Sequence, residues 1–190
     1  ITGFPMAKKS PRSRPCIIVG NWKMYKTIAE SLQFIESLNK ELPTPSDFCK
    51  IYIAVPFTAI KEAADKAANS PLVIGAQNMN DAEEGAFTGE IAASMLKEAG
   101  AKFVILGHSE RRKLFSESNA FINKKVKRAL AADLQPILCV GESYEERENN
   151  ETQNVLEAQL KECLLGISED HAQSIIIAYE PIWAVGTGKA

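Results

Sequence analysis

The chain has 190 residues, 45% hydrophobic, 24% charged and 7% aromatic, with a formal net charge of −2. Those are the proportions of a globular protein with enough chain for a core. The near-neutral balance excludes the broad positive field that attracts nucleic acid or an anionic membrane. The longest apolar runs, such as Ile175 to Tyr179, are far shorter than a membrane span.

Residues 1–15 hold Lys8, Lys9, Arg12 and Arg14 among prolines, and read as a disordered basic N-terminal tail. No apolar stretch follows these cations, so no secretory signal is expected. Residues 16–190 read as one domain.

From residue 16 a short apolar run alternates with a helical pattern. The strand candidates, in chain order, are 16–20, 51–55, 72–75, 103–107, 136–140 and 175–179. They are mostly apolar without strict alternation, the habit of parallel strands covered on both faces. Between them, Ile28, Leu32, Ile35, Leu38 and Leu42 recur at helical spacing. Residues 58–68 are rich in helix formers, and Gly100 can end a helix over 91–99. Ser116 and Ser118 offer N-caps before Ile122, Val126 and Leu130. Leu156, Leu160, Leu164 and Ile167 predict a further helix. The pattern is α/β with a parallel sheet. Periodicity leaves an open doubly wound sheet and a (β/α) barrel both in play. The glycine-rich turn of a dinucleotide-binding sheet is missing after the first strand, where Gly20-Asn21-Trp22-Lys23 stands instead.

The four cysteines, Cys16, Cys49, Cys139 and Cys163, form no CxxC pair and have no histidine at zinc-ligand spacing. They read as reduced thiols of the core.

In parallel α/β folds ligands bind beyond the carboxyl ends of the strands. The first strand delivers Asn21 and Lys23 there, the third Gln77 and Asn78, the fourth His108 to Arg112, the fifth Gly141 and Glu142, the sixth Glu180. Taken singly, Lys23 is a solvated lysine, His108 a structural histidine, and 109–112 a local salt-bridge group. Glu180 resists the plain reading, because a buried carboxylate is costly without a partner. Lysine, histidine and glutamate at one rim make an acid–base site. The segment 181–188 adds apolar residues and two glycines in a loop that can close over a ligand.

At these residues the sequence resembles the triosephosphate isomerases, along essentially all of 16–190. The shared motifs are Gly20-Asn21-Trp22-Lys23-Met24, Gly75-Ala76-Gln77-Asn78, the run from Gly85 to Glu90, the run from Ile105 to Arg112, Cys139-Val140-Gly141-Glu142, and the run from Ala178 to Gly188. Six such motifs in order are highly specific. The resemblance implies a (β/α)8 barrel, of which this chain supplies roughly the first six strands. It implies interconversion of dihydroxyacetone phosphate and D-glyceraldehyde 3-phosphate through an enediolate. Glu180 is then the catalytic base and His108 the electrophile at the carbonyl. Lys23 stabilises enediolate and phosphate charge, with Asn21 beside it, and Gly186 is a lid amide that grips the phosphate. No metal or organic cofactor is implied. A cytoplasmic homodimer is implied, with Gln77, Thr88 and Glu90 at the subunit contact. The family's last two βα units, with their phosphate-binding loops, are not in this sequence. Two expectations follow: an isomerase completed by a C-terminal segment, or a non-catalytic truncated barrel.

Overall fold

The computed structural model of the chain describes residues 16–42 and 49–184. The expected tail at 1–15 and the lid glycine Gly186 lie outside the described residues.

Six parallel strands form one sheet: β1 (Cys16–Asn21), β2 (Cys49–Val55), β3 (Leu72–Ala76), β4 (Phe103–Leu106), β5 (Gln135–Val140) and β6 (Ile176–Tyr179). Their spatial order is β1-β2-β3-β4-β5-β6, every neighbouring pair parallel. This order decides between the two architectures left open by periodicity. A doubly wound sheet reverses direction at a switch point, whereas a barrel adds each strand beside the last. The sheet is an arc of a (β/α) barrel. Among the described residues, β1 and β6 each pair on one side only, and Ile18 and Ile177 are exposed on them.

The arc has two apolar faces. The concave face carries Tyr52, Ala54, Phe103, Ile105, Ile137 and Cys139. The other face carries Ile53, Val55, Ile74, Val104, Leu106, Leu138 and Val140 and takes the helices. Phe103 is fully buried and its ring lies 4.8 Å from that of Tyr52. Burial of a side chain of that size contributes roughly 2–3 kcal/mol. Gly75 leaves room for it, since a Cβ there would stand 2.4 Å from the ring.

The helices are α1 (Ile28–Glu41), α2 (Ile60–Ala67), α3 (Ala93–Glu98), α4 (Ser109–Leu114), α5 (Asn119–Ala131), α6 (Tyr144–Glu148), α7 (Thr152–Cys163) and α8 (Glu169–Ala172). Helix α1 starts on a capping box: Thr27 and Glu30 satisfy each other's backbone N–H groups. Ser143 and Glu146 do the same for α6. Gly100, at φ +98, turns the chain after α3 as expected, and the N–H of Ala101 reaches back to the carbonyl of Leu96.

Three expectations change. Ser118, not Ser116, caps α5; Ser116 sits at φ +55 in the turn before it. Residues 57–59 form a 3-10 turn ahead of α2, because Pro56 fixes an extended start. The cysteines are not all core thiols. Cys139 and Cys163 are buried, but Cys16 is exposed and Cys49 only half-buried, because both stand at the first positions of their strands.

Candidate active site

All strands run the same way, so their carboxyl ends share one rim. Asn21 is the last residue of β1, His108 follows β4 by one glycine, and Glu180 directly follows β6. The structure brings three of the expected groups together at this rim and ties the fourth to them. His108 Nε2 lies 3.2 Å from Glu180 Oε1. The backbone N–H of Ser109 donates to Glu180 Oε2 at 3.2 Å. Lys23 Nζ reaches Glu110 Oε1 at 2.7 Å, on the same short helix that His108 opens. Asn21 Oδ1 accepts the backbone N–H of Lys23 at 3.0 Å.

Local sequence explains each position. His108 is the N-cap of α4, and its Nδ1 accepts the N–H of Glu110 at 3.2 Å. A ring nitrogen that accepts carries no proton, so the proton sits on Nε2, which points at Glu180. Gly107, at φ +72, makes the turn from β4 into α4. Arg112 then ties the rim together. It donates to the carbonyls of Gly107 at 2.7 Å and Cys139 at 3.1 Å, and to Asn119 Oδ1 at 2.5 Å. The 109–112 cluster is therefore more than a local salt-bridge group: Arg111 pairs locally with Glu117, but Glu110 reaches Lys23 after β1 and Arg112 reaches β5 and α5.

Lys23 has φ +53, a conformation uncommon for a residue with a side chain. Gln77 holds that backbone, donating to the carbonyls of Lys23 at 2.8 Å and Ala54 at 3.1 Å. This tie within the chain was not foreseen from the sequence, and its only signal was the position of Gln77 after β3. Asn21, Lys23, Gln77, Asn78, His108 and Glu110 line one cleft of about 620 Å³. Of the other expected contact residues, Glu90 accepts from Asn80 at 2.7 Å and Thr88 is exposed.

A second carboxylate matters at the rim. Glu142 is completely buried, and its Oε1 accepts from Tyr179 at 2.9 Å, Trp183 at 3.0 Å and Arg147 at 3.4 Å. Burial alone pushes this carboxyl up. The hydrogen bonds from Trp183, its own backbone, Tyr179 and Arg147 outweigh that, so it titrates below the ordinary carboxylate value. Glu142 thus holds the residues on both sides of Glu180 and the first turn of the 181–188 loop. Cys139 lies beside Glu180; burial first, and then the neighbouring carboxylate, push its thiol well above the usual range.

Gly141 sets how close β5 comes to Glu180. The N–H of Glu180 donates to Val140 O at 2.8 Å, and a Cβ on Gly141 would stand 1.8 Å from the carbonyl oxygen of Glu180. Only a glycine fits there.

This architecture matches known proteins. A family model described as Triosephosphate isomerase matches residues 16–190. The triosephosphate isomerase of Protochlamydia amoebophila is 56% identical over 180 residues, covering 95% of this chain and 67% of that protein. That of Alkaliphilus metalliredigens is 49% identical, covering 93% of this chain and 70% of its own length. The crystal structure of triosephosphate isomerase from Bartonella henselae superimposes with a TM-score of 0.82 at 40% identity, over 90% of this chain and 69% of that one. Matched along its length in sequence and in the arc of its sheet, the chain belongs to the triosephosphate isomerase family.

Proposed function

We propose that the chain interconverts dihydroxyacetone phosphate and D-glyceraldehyde 3-phosphate, the isomerisation the family is named for and a step of glycolysis and gluconeogenesis. The observation that carries this reading is the convergence of His108 and Glu180 at 3.2 Å, with Lys23 on the same rim. Glu180 takes the proton from one carbon and returns it to its neighbour. The intermediate enediolate is stabilised by fixed donors, since an α-proton is too weakly acidic for an unaided carboxylate. The Nε2–H of His108 donates to the substrate oxygen, and the Lys23 ammonium balances enediolate and phosphate charge. A neutral histidine in this role is the arrangement already described for the triosephosphate isomerases. Asn21 orients Lys23 through its backbone. Both oxygens of Glu180 are engaged here, by His108 and by the N–H of Ser109. Substrate entry has to release them before the carboxylate reaches carbon. The phosphate-binding amide that the family resemblance assigns to Gly186 lies outside the described residues.

The same reading makes the protein a cytoplasmic homodimer, working where its soluble, charged substrate is made. The exposed tip with Phe87 and Thr88, flanked by Gln77 and Glu90, is the subunit contact. The reading as a non-catalytic truncated barrel is not favoured, given relatives up to 56% identical over 95% of the chain.

The test is Glu180→Asp in a coupled isomerase assay. Withdrawing the carboxylate by one methylene, on the order of 1 Å, lowers kcat about 100-fold or more with little change in KM. Near-normal turnover overturns the assignment of the base.

A further inference from the structure

At the opposite end of the sheet from the active-site rim, the structure places two cysteines side by side. Cys16 opens β1 and Cys49 opens β2, and they are direct register partners in the parallel ladder. Neighbouring strands lie about 4.8 Å apart, and register partners project to the same face. That spacing falls inside the Cα separation of roughly 4.4–6.8 Å that a disulfide spans without moving the backbone. Both thiols are free, Cys16 is exposed, and Cys49 is half-buried. The neighbouring Cys16 thiol, ahead of partial burial, pushes the Cys49 thiol above its ordinary value. The remaining cysteines are differently placed. Cys139 lies on the concave face and Cys163 at the end of α7, both buried.

We propose that Cys16 and Cys49 form a reversible thiol–disulfide site that reacts with low-molecular-weight disulfides. The thiolate of Cys16, the more accessible sulfur, attacks one sulfur of the small disulfide. A mixed disulfide forms and one small thiolate leaves. The thiolate of Cys49 then attacks the Cys16 sulfur, releasing the second small thiol and closing the Cys16–Cys49 bond. Two protein thiols are oxidised, one small disulfide is reduced to two thiols, and the two protein protons end on those thiols. The product bond staples β1 to β2 and closes a loop of about thirty residues, which restricts the unfolded chain. Asn21 lies at the other end of β1, roughly 16 Å away at the usual rise per residue. The site therefore acts on the stability of the first strand pair and not on the chemistry of the rim.

The experiment incubates the native chain with glutathione disulfide at neutral pH, blocks residual thiols with an alkylating agent, and maps peptides by mass. The expected product is a single Cys16–Cys49 cross-link, removed by dithiothreitol, with Cys139 and Cys163 recovered alkylated. Cys49→Ser is expected to trap the mixed disulfide on Cys16, because the resolving thiol is gone. The oxidised native chain is expected to melt several degrees above the reduced one, with no such gain in Cys49→Ser. A glutathione adduct that persists on Cys16 in the native chain overturns the proposal. So does a cross-link that forms only in urea, or one that scatters over all four cysteines. Circular dichroism of Cys16→Ser and Cys49→Ser separates a folding defect from a lost reaction.

Discussion

Glu142 shows how one buried side chain holds the residues that flank Glu180. It is buried, yet three donors converge on a single oxygen, and among the described residues its other oxygen has no hydrogen-bond partner. The net effect lowers its pKa on folding. A carboxyl with a depressed folded pKa stabilises the native state fully above its unfolded value near 4.5, and that contribution fades as pH falls through the lower folded value. Acidification through that window is expected to loosen Tyr179 and Trp183 first. Glu142→Gln keeps the shape but not the charge. It is expected to flatten the acid limb of the stability–pH profile, read by urea unfolding at stepped pH with Trp183 fluorescence as the local probe. An unchanged acid limb shows that the hydrogen bonds, and not the charge, hold the loop. The sequence placed Glu142 at the rim but offered no sign that it would be buried under a tyrosine and a tryptophan from further along the chain.

Among the elements, the contact between the ends of β5 and β6 is the tightest at the site. Gly141 lets the two strands approach until its would-be Cβ overlaps the Glu180 carbonyl. Gly141→Ala has to push the backbone of Glu180 away, because the clash is with main chain and no side-chain rotation relieves it. With Glu180 as the base proposed above, the expected result is a fall in kcat of about 100-fold, the cost of displacing such a group by about 1 Å. Part of the fold stability is lost with it. Isomerase kinetics and a thermal melt read the two effects separately, and wild-type kcat in a folded Gly141→Ala shows that Glu180 tolerates the shift. Much at this scale was legible beforehand. All six strands stand within a few residues of their apolar runs, since burial on both faces writes itself as uninterrupted hydrophobicity. The short helices α6 and α8 were missed because each is held by a serine cap and charged residues rather than an apolar stripe.

Across the whole molecule, a buried ionic cluster joins parts of the chain distant in sequence. Lys125 on α5 donates to Glu117 at 2.6 Å and to Asn78, after β3, at 2.9 Å; Arg111 on α4 also reaches Glu117 at 2.6 Å. Lys125 is 1% exposed, and desolvation, only partly offset by Glu117, lowers its pKa. The folded state thus binds this proton more weakly than the unfolded state does. The resulting cost is present at neutral pH and is relieved as pH rises from the lowered folded value toward 10.5. Lys125→Met removes that cost but leaves Asn78 without its donor and Glu117 with one cation in place of two. It is expected to destabilise by about 3 kcal/mol in urea unfolding, because breaking one side of a buried pair exceeds the relief. A neutral or stabilising outcome shows that Arg111 alone suffices for Glu117.

The sequence by itself determined the strand–helix alternation, the rim residues Asn21, Lys23, His108 and Glu180, and the resemblance that joins them. Those features are local: apolar runs, glycine turns and motifs are spelled in consecutive residues. The tertiary structure alone decided the monotonic strand order, because strand neighbours are chosen by packing across the sheet and not by spacing along the chain. It alone decided that Nε2 of His108 faces Glu180, that Gln77 clamps the backbone of Lys23, and that Cys16 stands beside Cys49. Each of these is a contact between residues far apart in sequence, fixed only when parallel strands come into register and bring their ends to a common rim.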